Sequence, residues 1–286
     1  MIVAYDAKRV FHNFTGIGNY SRSTLDMLEK FHPEVETLLL ASSVGRENPR
    51  TARFVPRAVL PNGLLRGSVW RTLGMGIRAS RPMQPIGGEG AVCADLFHGL
   101  SHELPTGLDI PSVSTMHDVA FRTFKDMYSA AERFIYDMKW RYACKHATHI
   151  VAISQYTKQD VQRFYGVGDE RISVVYQPVS DCFYGEMKRC KAEREPYLLY
   201  VGTINSRKNL LAIVQAIEML PEAQRIPLWV VGDGSGYKRK VMEYVERHGL
   251  GRWVVMKGRA ETPQELKTLY EGATAFIYPS HFEGMG

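Results

Sequence analysis

A chain of 286 residues, 45% hydrophobic and 23% charged, has ordinary globular composition and is long enough for two domains with separate cores. That balance excludes disordered and fibrous proteins, and no apolar run approaches the roughly 20 residues of a membrane-spanning helix. The net charge of +6 is concentrated: Arg46, Arg50, Arg53, Arg57, Arg66, Arg71, Arg78 and Arg81 stand with a single acid, Glu47, so the remainder is close to neutral.

The opening Met1-Ile-Val-Ala-Tyr-Asp6 reads as a strand, not as a signal peptide, so the protein is expected in the cytoplasm. In the turn Asn13-Phe-Thr-Gly-Ile-Gly-Asn-Tyr20, Gly16 and Gly18 would let backbone N–H groups approach a ligand closely, or would serve only a tight turn. It is not a dinucleotide fingerprint, because the third glycine would fall at Ser21. A second strand, Thr37 to Ala41, precedes the basic segment. There Leu64, Leu65, Val69, Trp70, Leu73, Met75 and Ile77 alternate with the arginines, as in a helix lying on an anionic membrane surface through residues 46–81. A docked helix with solvated arginines gives the same pattern, and Gly67, Gly74 and Gly76 weaken the helix. Charge without a recognition motif argues against a nucleic acid partner.

Further strands are expected at Asp95 to His98, Ser112 to Met116, His149 to Ile153 and Ile172 to Tyr176. Met116-His117-Asp118 closes the second of these at the end where parallel sheets present their sites. His117 there can hydrogen-bond a sugar hydroxyl or a developing charge with Asp118 orienting it, or be a satisfied loop histidine. Ser129-Ala-Ala-Glu132 is a capping box opening a helix to about Lys145, and Ser154 can cap a helix from Gln155 to Tyr165. Cys93, Cys144, Cys182 and Cys190 form no C-x-x-C pair and read as reduced structural thiols.

After Gln177-Pro178 the chain turns polar and irregular from Val179 to Glu195, which sets the expected boundary between domains 1–180 and 181–286. Strands then fall at Tyr197 to Val201, Leu228 to Val231, Trp253 to Met256 and Ala275 to Tyr278. Helices fall at Asn209 to Leu220, Tyr237 to His248 and after the capping box Thr262-Pro-Gln-Glu265. Both halves therefore read as α/β units with parallel sheets. Arg207 and Lys208 lie on a loop between strand and helix, where such sheets bind phosphate; a guanidinium fork beside an ammonium can hold a diphosphate, although a solvated surface pair looks alike in sequence. Gly232-Asp-Gly-Ser-Gly236 permits an anion-binding or a tight connecting loop. Glu283 beside the amides of Gly284, Met285 and Gly286 suits a polyhydroxylated ligand or a helix cap. All these elements follow strands, at the same ends of two sheets, which points to one ligand held between two domains. A strand and a glycine-rich turn normally open a helix, so a longer parent protein is expected.

The order T-G-I-G-N-Y, M-H-D, S-Q-Y-T-K-Q-D-V, V-G-T-I-N-S-R-K-N, V-V-G-D-G and Y-P-S-H-F-E-G-M-G resembles the family 4 retaining glycosyltransferases across essentially the whole chain. The resemblance implies the GT-B fold, with two Rossmann-like domains whose parallel sheets face each other across a cleft, the C-terminal one incomplete. It implies that Arg207 and Lys208 hold the donor diphosphate and stabilise its departure without a metal ion or other cofactor, and that Glu283, with Gly284, Met285 and Gly286, holds the transferred sugar. By the same resemblance His117 faces the sugar and Asp118 the acceptor, Gly16, Gly18 and Gly202 lie near the donor, and Arg259, in Lys257-Gly-Arg259, lies where the nucleotide base packs. The second glutamate of the family's E-x7-E motif would fall at position 291, beyond the sequence as given.

The implied reaction moves a hexose from a nucleotide-diphosphate sugar to a glycan or lipid-linked acceptor. The leaving diphosphate oxygen would help deprotonate the incoming hydroxyl on the same face. The overall pattern resembles bacterial mannosyltransferases of polysaccharide assembly, so GDP-mannose is the first expected donor and a UDP-hexose the second. A GT-B-like nucleotide-sugar epimerase and a non-catalytic nucleotide-sugar binding module are the alternatives.

Overall fold

Strands buried on both faces of a parallel sheet are rich in apolar residues, and the N-terminal half is built from such strands, although Ser112, Ser114 and Thr115 break the apolar pattern in one of them. The computed structural model describes residues 1–41, 51–54, 58–59, 70–84, 90–185 and 195–285. The chain divides into one unit of Met1–Pro178 with Gly284–Gly286, and a second of Val179–Glu283.

In the first unit β1 (Ile2–Asp6), β2 (Glu36–Ala41), β3 (Ala58–Val59), β4 (Leu96–Gly99), β5 (Ser112–Met116), β6 (His149–Ala152) and β7 (Ile172–Val174) form a parallel sheet in the order β3-β2-β1-β4-β5-β6-β7. β1 is an interior strand: Ala4 stands opposite Leu38 on one side and Phe97 on the other. Successive side chains of a strand alternate between faces. Accordingly Ala4, Leu38, Phe97, Met116 and Ile150 join one core, while Val3, Tyr5, Tyr20, Leu25 and Leu39 join another. The described helices are α1 (Lys8–His12), α2 (Gly16–Phe31), α3 (Met75–Ala79), α4 (Ala120–Thr123), α5 (Ala130–His146) and α6 (Gln155–Tyr165). Ser129 and Glu132 make both halves of the expected capping box on α5, Ser154 accepts from the Thr157 N–H at 3.1 Å to start α6, and Gly166, at φ +65°, ends it.

The basic segment differs from expectation. Trp70–Gly74 forms a π-helical turn that leads into the five-residue α3, and Trp70 and Met75 are buried. Arg71 is not a surface cation: it is 8% exposed, and its guanidinium donates to Asp6 and Glu103 at 2.5 Å each. Two carboxylates waiting in the fold outbid solvent for this arginine, which removes it from any membrane-facing role. Leu73, Ile77 and Arg78 remain exposed. Arg46, Arg50, Arg57, Arg66, Leu64, Leu65 and Val69 lie outside the described residues, as does Cys190.

The second unit carries β8 (Leu198–Val201), α7 (Leu210–Met219), β9 (Leu228–Val231), α8 (Gly236–Arg247), β10 (Val254–Gly258), α9 (Pro263–Gly272) and β11 (Ala275–Phe276), with a parallel sheet ordered β10-β9-β8-β11. β11 is shorter than its apolar run suggests. Thr262 Oγ1 caps α9 by accepting from the Glu265 N–H at 3.1 Å, but the Glu265 carboxylate reaches the Glu261 N–H at 2.7 Å instead of closing the box on Thr262.

Candidate functional site

In the second unit, the end of β8 sets the geometry. The Gly202 N–H donates to the Val231 carbonyl at 2.9 Å, and the chain enters a single 3-10 turn, Ser206–Lys208. Asn205 Oδ1 accepts from the Lys208 N–H at 3.0 Å. Asn209 takes φ +53°, a left-handed conformation that asparagine tolerates better than most residues with a Cβ. This delays α7 to Leu210, so Arg207 and Lys208 sit on a capped turn before the helix.

The strand beside β8 supplies their partner. Past Phe276, the Ile277 N–H donates to the Leu199 carbonyl and the His281 N–H to the Arg207 carbonyl, both at 2.8 Å. The Glu283 carboxylate then lies between the two cations: Oε2 accepts from Arg207 Nη1 at 2.8 Å, and Oε1 from Lys208 Nζ at 2.7 Å. Arg207 Nη1 also donates to the Phe282 carbonyl at 2.5 Å, while Lys208 Nζ donates to the Tyr278 hydroxyl and lies 4.6 Å from that ring's centroid. Arg207, Lys208 and Glu283 are 20%, 13% and 16% exposed. Burial opposes ionisation of Glu283, but the hydrogen bonds from Lys208 and Arg207 outweigh it and hold the carboxyl below its usual range. Burial first, then the Glu283 charge, pushes the Tyr278 hydroxyl up and keeps it neutral. One carboxylate against two cations leaves a positive centre that can take an anion, beside acceptor oxygens that can receive sugar hydroxyls.

The glycines nearby serve the chain itself. A Cβ on Gly232 would stand 1.9 Å from the Gly202 carbonyl oxygen, and one on Gly234 would stand 2.2 Å from that of Ile204. The Gly-Asp-Gly loop is therefore glycine because the neighbouring strand end passes directly over it. Arg259 is exposed and makes a 3.7 Å ion contact with Asp233, whereas Lys257 Nζ lies 3.7 Å from the centroid of Trp229.

In the first unit, Gly16 opens α2 with free space where a Cβ would go, while a Cβ on Gly18 would meet the Asn13 carbonyl oxygen at 1.7 Å. Asn13 Oδ1 gathers the turn by accepting from the Thr15 N–H at 2.8 Å and the Gly18 N–H at 3.3 Å. His117 is buried and both ring nitrogens are engaged: Nε2 bonds the Leu100 carbonyl at 3.0 Å and Nδ1 pairs with the Gln177 side-chain amide at 2.9 Å. The carbonyl can only accept, so Nε2 carries the proton and Nδ1 accepts from the amide. Burial lowers the His117 pKa, which keeps the ring neutral. Asp118 Oδ1 accepts from the Ala120 N–H at 3.2 Å at the start of α4. Gly284, which groups with this unit, is pressed against the His117 backbone: a Cβ on it would lie 1.8 Å from the His117 carbonyl oxygen. Its own carbonyl accepts from Ser154 Oγ at 2.5 Å and Thr157 Oγ1 at 3.2 Å. Met285 is half-buried, and Gly286 lies outside the described residues.

Residues 15–181 match the family described as Glycosyltransferase Family 4, and residues 187–286 match Glycosyl transferases group 1. The chain belongs to glycosyltransferase family 4. It is 28% identical over 203 residues to O-antigen chain mannosyltransferase B of Escherichia coli, which covers 67% of this chain and 52% of that protein. It is 27% identical over 172 residues to O-antigen chain mannosyltransferase RfbU of Salmonella typhimurium, covering 60% and 46%. The chain thus spans about half the length of these curated relatives. Among solved structures, sucrose-phosphate synthase from Thermosynechococcus elongatus superposes with TM-score 0.72 at 16% identity over 100% of this chain and 77% of its own. WaaG, a glycosyltransferase involved in lipopolysaccharide biosynthesis, gives TM-score 0.66 at 16% identity over 99% and 76%, and Anabaena HepE in complex with UDP and glucose gives 0.65 at 15% identity over 98% and 74%. These likenesses identify the fold as GT-B.

The structure adds site residues to this family 4 chain that the sequence reading passed over. Tyr278 is half-buried beside Lys208, Asn205 shapes the Arg-Lys turn, and Gln177 fixes the His117 tautomer. Asn205 had a legible signal, a capping residue three positions before Lys208. Tyr278 and Gln177 had none, because their partners are 70 and 60 residues away.

Proposed function

We propose that this protein transfers a hexose, mannose first, from a nucleotide-diphosphate sugar to a glycan or lipid-linked acceptor, with retention of anomeric configuration, in the assembly of a cell-surface polysaccharide on the cytoplasmic side. The observation that carries the reading is the convergence of Arg207 and Lys208 on Glu283, a half-buried positive centre just past the end of β8. The names of the relatives support mannose, and the UDP seen with HepE supports a nucleotide sugar of some kind. Here the second unit binds the donor and the first binds the acceptor. Arg207 and Lys208 meet the diphosphate and stabilise the charge that grows on it as the glycosidic bond breaks. Glu283 keeps the two cations aligned and offers its oxygens to the sugar hydroxyls. The departing diphosphate oxygen takes the proton of the incoming hydroxyl on the same face, so no protein nucleophile is required.

The test is incubation of the protein with GDP-mannose, UDP-glucose and related donors, scoring nucleoside diphosphate release with and without candidate acceptors. Acceptor-dependent release supports transfer, whereas release or sugar rearrangement independent of acceptor favours an epimerase. Arg207→Ala should lower kcat on the order of 10²-fold, as loss of one oxyanion donor does. Unchanged turnover in that variant contradicts the assignment.

A further inference from the structure

At the carboxyl end of β1 the first unit gathers four cations around two carboxylates. Asp6 ends the strand, Lys8 and Arg9 open α1, Arg71 comes from the π-helical turn, Glu103 follows β4 and Lys139 projects from α5. Both oxygens of each carboxylate are engaged. Asp6 Oδ2 accepts from Arg71 Nε at 2.8 Å and Nη2 at 2.5 Å, and its Oδ1 accepts from the Lys8 backbone N–H at 3.1 Å. Glu103 Oε2 accepts from Arg71 at 2.5 Å and Arg9 at 3.4 Å, and its Oε1 from Lys139 at 2.7 Å. Burial alone would raise the Glu103 pKa, but Arg71 and Lys139 outweigh it and hold the carboxyl well below the usual range.

Two groups are left over. Among the described residues the Lys8 ammonium has neither a hydrogen bond nor an ion pair, and Arg9 Nε is a buried donor without a partner. Burial, then the neighbouring Arg71 charge, lowers the Lys8 pKa. The cluster thus holds two more positive than negative charges in a partly desolvated place, an arrangement that costs folding free energy unless something compensates it. Among the described residues the charges of this network do not balance. It also stands where α/β sheets receive ligands, beyond the carboxyl ends of the strands and two turns before the glycine loop.

We propose that Lys8 and Arg9 form an anion subsite in the first unit that takes a phosphate or diphosphate group of the acceptor. This rests on the transferase reading above and narrows the acceptor to a phosphorylated one. The ammonium supplies the compact charge, and the unpartnered Arg9 Nε supplies a directed donor to a phosphate oxygen.

The test is calorimetric titration of inorganic pyrophosphate, with Arg207→Ala as the background so that the donor centre does not contribute. In that background Lys8→Met and Arg9→Gln should each weaken pyrophosphate binding about tenfold or more. Undiminished affinity in both overturns the subsite. Thermal unfolding of Lys8→Met separates a ligand-holding lysine from a structural one: the former leaves Tm unchanged or raised, because an uncompensated cation has been removed, and a clear fall in Tm overturns the proposal. GDP titration of Lys8→Met in the otherwise native chain identifies the source of the phosphate. Unchanged GDP affinity supports an acceptor group, and a matching loss assigns the site to the donor and overturns the acceptor reading. Failure of nucleotide release in the transferase assay is a separate result, since none of these titrations requires turnover.

Discussion

Acid should destabilise the first unit through its desolvated histidines before it protonates the carboxylates that hold the unit together. His98, on β4, is partly buried with Nε2 paired to Thr115 Oγ1 at 2.9 Å, and desolvation of its ring lowers its pKa to about 4. His102, stacked on Trp140 with ring centroids 3.4 Å apart, and His117 are shifted in the same direction by burial. A histidine whose folded pKa lies below its unfolded value takes up a proton on unfolding, so its contribution is intact above about pH 6.5 and is lost as the pH falls toward the folded pKa. For His98, with an unfolded value near 6.5, lowering the pH from 7 to about 4.5 costs about 2.5 kcal/mol. With a urea dependence of about 2–3 kcal/mol per molar, that is a midpoint shift of about 1 M. Glu103, held well below the usual carboxylate range, stays ionised in this window, and Asp160, whose carboxyl is raised chiefly by burial, works in the opposite direction. The assay is urea unfolding followed by tryptophan fluorescence after Trp229→Phe and Trp253→Phe, which leaves Trp70 and Trp140, both in the first unit. His98→Gln keeps a donor for Thr115 but cannot titrate, and should recover most of the shift. If this variant loses as much stability between pH 7 and 4.5 as the parent does, burial of the imidazole is not the cause and the reasoning fails.

Two further tests probe local geometry. Gly18→Ala should destabilise the first unit by about 1–3 kcal/mol, because its Cβ would stand 1.7 Å from the Asn13 carbonyl oxygen, whereas Gly16→Ala, with open space, should be neutral or stabilising by up to about 1 kcal/mol. Equal unfolding midpoints for the two variants would show that the turn relaxes freely. Burial pushes the Cys144 thiol up to about 12, while Cys93 is exposed, so a thiol reagent at pH 8 should label Cys93 in the native protein and reach Cys144 only in denaturant. Native labelling of Cys144 at a comparable rate, located by peptide mapping, would contradict its burial.

The sequence by itself determined most of the longer local elements and the family, but not β3, α1 or α4. Short segments rich in apolar and β-branched residues marked most strands, though not the two-residue Ala58–Val59; Ser129 with Glu132, Ser154 and Thr262 marked helix starts, and all three serve as caps, because propensity and capping act over a few residues of chain. Only the tertiary structure decided which charges and glycines belong together. Arg71 looked like one cation of a surface stripe until Asp6 and Glu103, 65 and 32 residues away, claimed it. Gly18, Gly232 and Gly234 looked equally like ligand-cradling glycines, yet each is required by a backbone carbonyl of the chain itself. The Arg207 and Lys208 pair was visible as two adjacent letters, but its meeting with Glu283 depends on β8 and the segment after β11 lying side by side. Pairing over such separations is a property of the folded sheet, since Coulomb attraction and steric exclusion depend on distance in space and carry no mark in the order of residues.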